Sequence, residues 1–172
     1  MGPLGTLLAS DHRQTLEFFL VELKEISEPG VDRQELLYNA SVLAHFAQTS
    51  TRGTGDVPAP CTLADVFDHF VCDASVSGDP ELMETAGAQC LMLAGFFEEQ
   101  MKRRHNIRWY ATLGAGFFDR AARTVSPTSK AMLLSTMARG FEGWRRRYAR
   151  LGRDLQDRRY MLTNPSRYRP EL

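Results

Sequence analysis

Hydrophobic residues along this chain recur at helical spacing, and no stretch alternates with the period of two that marks a strand. Leu16, Phe19, Leu20, Leu23 and Ile26 fall on one side of a helix expected from about residue 11 to 27. The "EPG" of 28–30 ends it, because proline cannot continue a helix and glycine accepts a left-handed cap. Asp32 caps a second helix to about residue 48, carrying Leu36, Ala40, Leu43 and Ala47 at spacings of 4, 3 and 4. The Ser/Thr/Gly/Pro run that follows, to Cys61, reads as a mobile loop. Thr62 and Asp65 form the acidic variant of a capping box for a short third helix to about residue 74. Asp79 then stands as an N-cap with Pro80 at the first helical position, and Glu81 and Glu84 suit the positive end of the helix dipole. This fourth helix runs to about residue 102, a fifth to about 123, and "SPTS" at 126–129 caps a sixth.

The sixth helix is the most regular. Leu133, Met137, Phe141, Trp144, Tyr148, Leu151 and Leu155 are separated by 4, 4, 3, 4, 3 and 4, a seam of about three heptads. A helix over 127–158 is roughly 48 Å long at 1.5 Å per residue, longer than a small domain is wide. The pattern therefore predicts an all-α fold. About six helices in antiparallel hairpins form one bundle with a long C-terminal helix. Residues 1–160 make a single domain, and 161–172 an extended or disordered tail.

The tetrad Ala-Gly-Phe-Phe followed by an acid occurs twice, at 94–98 and 115–119. If the fourth and fifth helices fold back around "RRHN", Gly95 and Gly116 stand at about the same height, so the echo predicts a close crossing with Gly95 facing Gly116. The segment 110–117, "YATLGAGF", fits the opening of a tetratricopeptide repeat, but Ser126, Lys130, Leu133 and Thr136 do not supply its second half. Residues 84–122, "ETAGAQCLMLAGFFEEQMKRRHNIRWYATLGAGFFDRAA", resemble the central segment of an uncharacterised all-helical bacterial family of unknown function. The resemblance implies a helical hairpin and a bacterial source, and carries over no catalytic residue.

Composition narrows the function classes. No run of 18 apolar residues is present, which excludes a membrane-spanning helix, and "MGPLGTLLAS" lacks the charged region of a signal peptide. A cytoplasmic protein is expected. Cys61, Cys72 and Cys90 are odd in number and show no C-x-x-C spacing, against a disulfide framework or structural zinc. The net charge is +0, yet residues 1–100 carry 16 acids and 4 bases while 101–172 carry 5 acids and 17 bases. Acidic early helices neutralising basic late ones account for the split, and a basic face for an acidic partner is the alternative.

Chemistry is sparse. None of His12, His45, His69 and His105 follows a carboxylate by three residues, so the Glu-x-x-His signature of di-iron bundles is missing. Asp65 and His69 share a helix face, but their spacing suits a local hydrogen bond better than half of a metal site. His45, in "VLAHFA", reads as a core histidine bonded to a backbone carbonyl rather than as an axial haem ligand. Glu98, Glu99 and Asp119 would face one another across the hairpin, with Arg103, Arg104, Arg108 and Arg120 as counter-charges. No catalytic motif, metal-ligand set or cofactor motif is recognisable.

The richest candidate is "RGFEGWRRRYARLGRDLQDRRY" at 139–160, since arginine and aromatic residues together are enriched at protein interfaces. Trp144, Arg145, Arg146, Arg147, Tyr148, Arg150 and Arg153 are the expected partner-binding residues. The leading expectation is a non-enzymatic adaptor or regulator that self-associates or docks a protein partner through its last helix. The alternatives are a small-ligand or cofactor-binding protein, or an enzyme, with an aromatic pocket of Phe96, Phe97, Trp109, Phe117 and Phe118, and nucleic-acid binding by the basic half.

Overall fold

The apolar stripe at the start of the chain folds as its spacing predicts. In the computed structural model, which describes residues 12–52, 79–103, 105–126 and 128–163, α1 is His12–Ile26 and α2 is Arg33–Arg52. The expected third helix with Asp65 and His69, most of the loop before it, Cys61, Cys72 and the end of the tail lie outside the described residues. Phe19 and Leu23 of α1 and Leu36, Ala40, Leu43, Ala44 and Ala47 of α2 are buried. The turn between the helices closes with Val31 N–H donating to the Glu28 carbonyl at 3.2 Å. Asn39 is fully buried on α2, and its Nδ2 donates to the Glu35 carbonyl at 2.8 Å, one turn back on the same helix. These helices and the residues from Leu151 onward form one compact unit, and residues 58–150 form a second.

The second unit begins, among its described residues, with α3 (Pro80–Leu91). Asp79 caps it as its sequence predicts, its Oδ1 accepting from Glu81 N–H at 2.9 Å and Leu82 N–H at 3.3 Å. The helix then widens into a π turn over Met92–Phe96, and a short α4 follows at Glu98–Met101. Asn106 caps α5 (Ile107–Thr124) by accepting from Trp109 N–H at 3.2 Å. The remaining elements are α6 (Thr128–Arg139) and α7 (Phe141–Thr163). The fold is all-α: the described residues form helices, turns and bends, with no strand among them.

Two expectations are corrected. The seam from Leu133 to Leu155 is not one helix, because Gly140 divides it into α6 and α7. The hydrogen-bond ladder runs on across the break, with Gly140 N–H to Thr136 O at 2.9 Å and Trp144 N–H to Gly140 O at 3.1 Å. The apolar spacing therefore continues through a glycine that is a poor helix former. The helix α7 alone is about 35 Å long at 1.5 Å per residue.

The hairpin of α3 and α5 exists, but not in the register centred on "RRHN". A Cβ on Gly87 would lie 3.1 Å from the Phe118 ring, and one on Gly114 would lie 2.6 Å from Cys90 Cβ. These pairs average to about residue 102. At 100° per residue the side of α3 that carries Gly87 and Cys90 continues at Ala94, one residue before Gly95. Gly116 is two residues from Gly114 and so points to the opposite side of α5, where a Cβ would meet nothing within 4 Å. The twin glycines do not face each other.

Candidate functional site

Gly95 instead receives α7. A Cβ there would lie 2.7 Å from Tyr148 Cβ and 3.0 Å from the Arg145 carbonyl, so only glycine lets the two backbones come this close. The π turn that holds Gly95 is closed by Phe97 N–H donating to Met92 O at 2.9 Å, a five-residue step that alters the local pairing of the carbonyls. One of these, Ala94 O, accepts from Arg145 Nη1 at 3.2 Å. The same guanidinium grips Glu142 with two bonds, Nε to Oε2 at 2.9 Å and Nη2 to Oε1 at 2.6 Å, and reaches Glu98 at 3.4 Å. Its side chain is only 13% exposed. The Arg145 bond holds the Glu142 carboxyl below its ordinary pKa, and Glu142 in turn raises that of Arg145. Arg145 is thus a fixed clamp between α7 and the π turn.

The aromatic members of the expected partner surface are turned inward. Trp144 is 1% exposed and Tyr148 is fully buried, since both belong to the seam that faces the core. Burial also pushes the Tyr148 phenol well above its usual pKa. Of the arginines between them, Arg146 takes the opposite side of the helix and Arg147 lies half-buried along it. Arg146 is 76% exposed and touches Glu142 at 3.3 Å, and the Arg147 guanidinium lies 4.6 Å above the Trp144 ring. Arg150 is exposed, as is Arg153 on the part of α7 that belongs to the first unit.

The residues of the expected aromatic pocket divide between core and surface. Phe97, Phe117 and Phe118 are core residues, Phe96 is half-buried with its ring edge-on to Phe97, and Trp109 stands 44% exposed beside Tyr110. An open groove of about 610 Å³ lies elsewhere in this unit. Ile107, Arg108, Ala111, Thr112 and Ala115 of α5 line one side, Ala138 and Arg139 of α6 another, and Phe141, Glu142 and Arg145 of α7 close it. Arg108 and Arg139 are exposed and form no ion pair among the described residues. Arg139 opens the arginine-rich segment and Arg108 reads in the sequence as a counter-charge, and the two share a groove only once three helices have packed.

The carboxylates do not make an acid–base pair. Glu99 is bound by Lys102 at 2.8 Å and Asp119 by Arg123 at 2.9 Å, both one turn away on their own segments, while Glu98 meets Arg145. His45 is exposed rather than in the core, being out of phase with Ala40, Leu43, Ala44 and Ala47. Among the described residues no three His, Cys, Asp or Glu are grouped to hold a metal ion, and no helix is long and apolar enough to cross a membrane. No family model, curated protein or solved structure matches the chain.

Proposed function

We propose that this chain is a non-enzymatic interaction protein, an adaptor or regulator of the bacterial cytoplasm, that docks an acidic protein partner on the outer side of α7. One observation carries the reading: the helix buries its aromatic seam and leaves Arg146 and Arg150 exposed, with Arg147 half-buried over Trp144 and no acid between Gly143 and Arg153. Arginine forks match carboxylates in pairs, and fixed positive charge raises the rate of encounter with an acidic surface. The surface is arginine alone, where the sequence suggests arginine and aromatics together.

Photo-crosslinking in cells tests this. A benzophenone amino acid placed at Arg146 or Arg150 is expected to trap one discrete partner, and the same probe at Arg33 on α2 is not. Equal capture from all three positions, or none from α7, contradicts the reading.

A further inference from the structure

We propose that the groove between α5, α6 and α7 binds a small organic dianion, a phosphomonoester or dicarboxylate attached to an apolar body. The inference concerns this groove and does not depend on the outer arginines of α7. Three guanidinium side chains line it, those of Arg108, Arg139 and Arg145, against one carboxylate, Glu142. Glu142 is spent on Arg145, with two bonds of 2.9 and 2.6 Å. Two positive charges, on Arg108 and Arg139, are therefore left without a counter-charge among the described residues.

Like charges sharing one groove repel, and an anion between them removes that repulsion and gains a charge-assisted bond to each. Two uncompensated charges fit a ligand of charge about −2, and planar guanidinium forks suit the oxygens of phosphate and carboxylate. The rest of the lining is different in kind. Ala111, Ala115 and Ala138 leave room, and half-buried Ile107 adds apolar surface, so the ligand carries a hydrocarbon or aromatic portion as well as its charges. At about 610 Å³ the groove lies within the range of small-molecule sites, roughly 300–1,000 Å³.

The α7 wall of the groove is also held in place in advance. Arg145 is anchored to Glu142 and to the Ala94 carbonyl, so that side of the groove needs no ordering when a ligand arrives. The carbonyl belongs to a π turn, an irregularity concentrated at functional sites.

Calorimetric titration of the full chain tests the site, with 1-naphthyl phosphate as the probe and inorganic phosphate, 1-naphthol and hexaglutamate for comparison. The expected result is one naphthyl phosphate per chain, bound about tenfold or more tighter than either inorganic phosphate or naphthol. Arg108→Gln and Arg139→Gln should each weaken it by about tenfold or more, as loss of a charge-assisted bond requires, and Arg150→Gln should not. Ala115→Trp, which fills the groove, should abolish binding in a protein whose circular dichroism and melting match the parent. Four results overturn the proposal. They are no saturable binding of naphthyl phosphate, unchanged binding in both arginine variants, inorganic phosphate binding as tightly, and hexaglutamate binding as tightly. The last would give the groove to an acidic peptide.

Discussion

Replacing Gly95 and Gly116, the twins of the repeated tetrad, by alanine separates packing from propensity. Both glycines are helical, so alanine removes the intrinsic penalty of glycine, about 1 kcal/mol, at each. At Gly116 nothing lies within 4 Å of the new methyl, and that gain stands alone. At Gly95 the methyl falls 2.7 Å from Tyr148 Cβ and 3.0 Å from the Arg145 carbonyl. Neither neighbour is the free end of a flexible chain, so α7 must move off the π turn, and overpacking of this kind costs roughly 1–3 kcal/mol. Gly116→Ala is therefore expected to stabilise and Gly95→Ala to destabilise, a difference in sign between identical substitutions. Urea unfolding followed by tryptophan fluorescence measures it, because Trp109 and Trp144 both belong to the second unit. If Gly95→Ala unfolds at the parent's midpoint, or both variants shift the same way, the placement of α7 against Gly95 is wrong.

Three further perturbations follow from the same packing. Gly114→Ala puts a methyl 2.6 Å from both Cys90 Cβ and Phe141 Cζ, and should lower the urea midpoint more than Gly87→Ala, whose methyl meets only a ring face at 3.1 Å. Arg145→Met removes the clamp on Ala94 O and Glu142, and should cost roughly 1–3 kcal/mol in the same assay. Because Arg145 depresses the Glu142 pKa, that pair's contribution is present above pH 4.5 and lost as the pH falls through the lowered value. Glu142→Gln should therefore lose less stability than the parent on acidification, by a small amount since the carboxylate is half exposed. The Tyr148 phenol has the opposite sign. Its raised pKa gives stability that is whole below pH 10.0 and falls as the unfolded chain ionises above it, so urea midpoints of Tyr148→Phe should decline less steeply there.

Much of the fold is legible in the spacing of apolar residues and in the caps. Asp79 and Pro80 start α3 where their chemistry predicts, and the seam from Met137 to Leu155 is buried at every position. What escaped was phase. The π turn at Met92–Phe96 has no local sequence signature, and the Gly95 within it packs against α7. Gly140 is hidden because the four-residue step from Met137 to Phe141 reads the same across a break as within a helix. The candidate surface was half legible: the arginine run is plain, but the aromatics within it share the core's periodicity, and that periodicity sends Trp144 and Tyr148 inward. The groove was not legible, since Arg108 and Arg139 are 31 residues apart and meet only through tertiary packing.

The central claim is that the outer arginines of α7, and not its aromatics, form the docking surface. Arg146→Glu/Arg150→Glu reverses two exposed charges and forfeits only the exposed Arg146–Glu142 pair, so the variant should melt within a few degrees of the parent. The most direct measurement is recovery of the crosslinked partner with parent and double variant side by side in cells, using one common probe position at Arg147. The folded double variant is expected to lose the partner that the parent captures. Undiminished recovery of that partner by the double variant would contradict it.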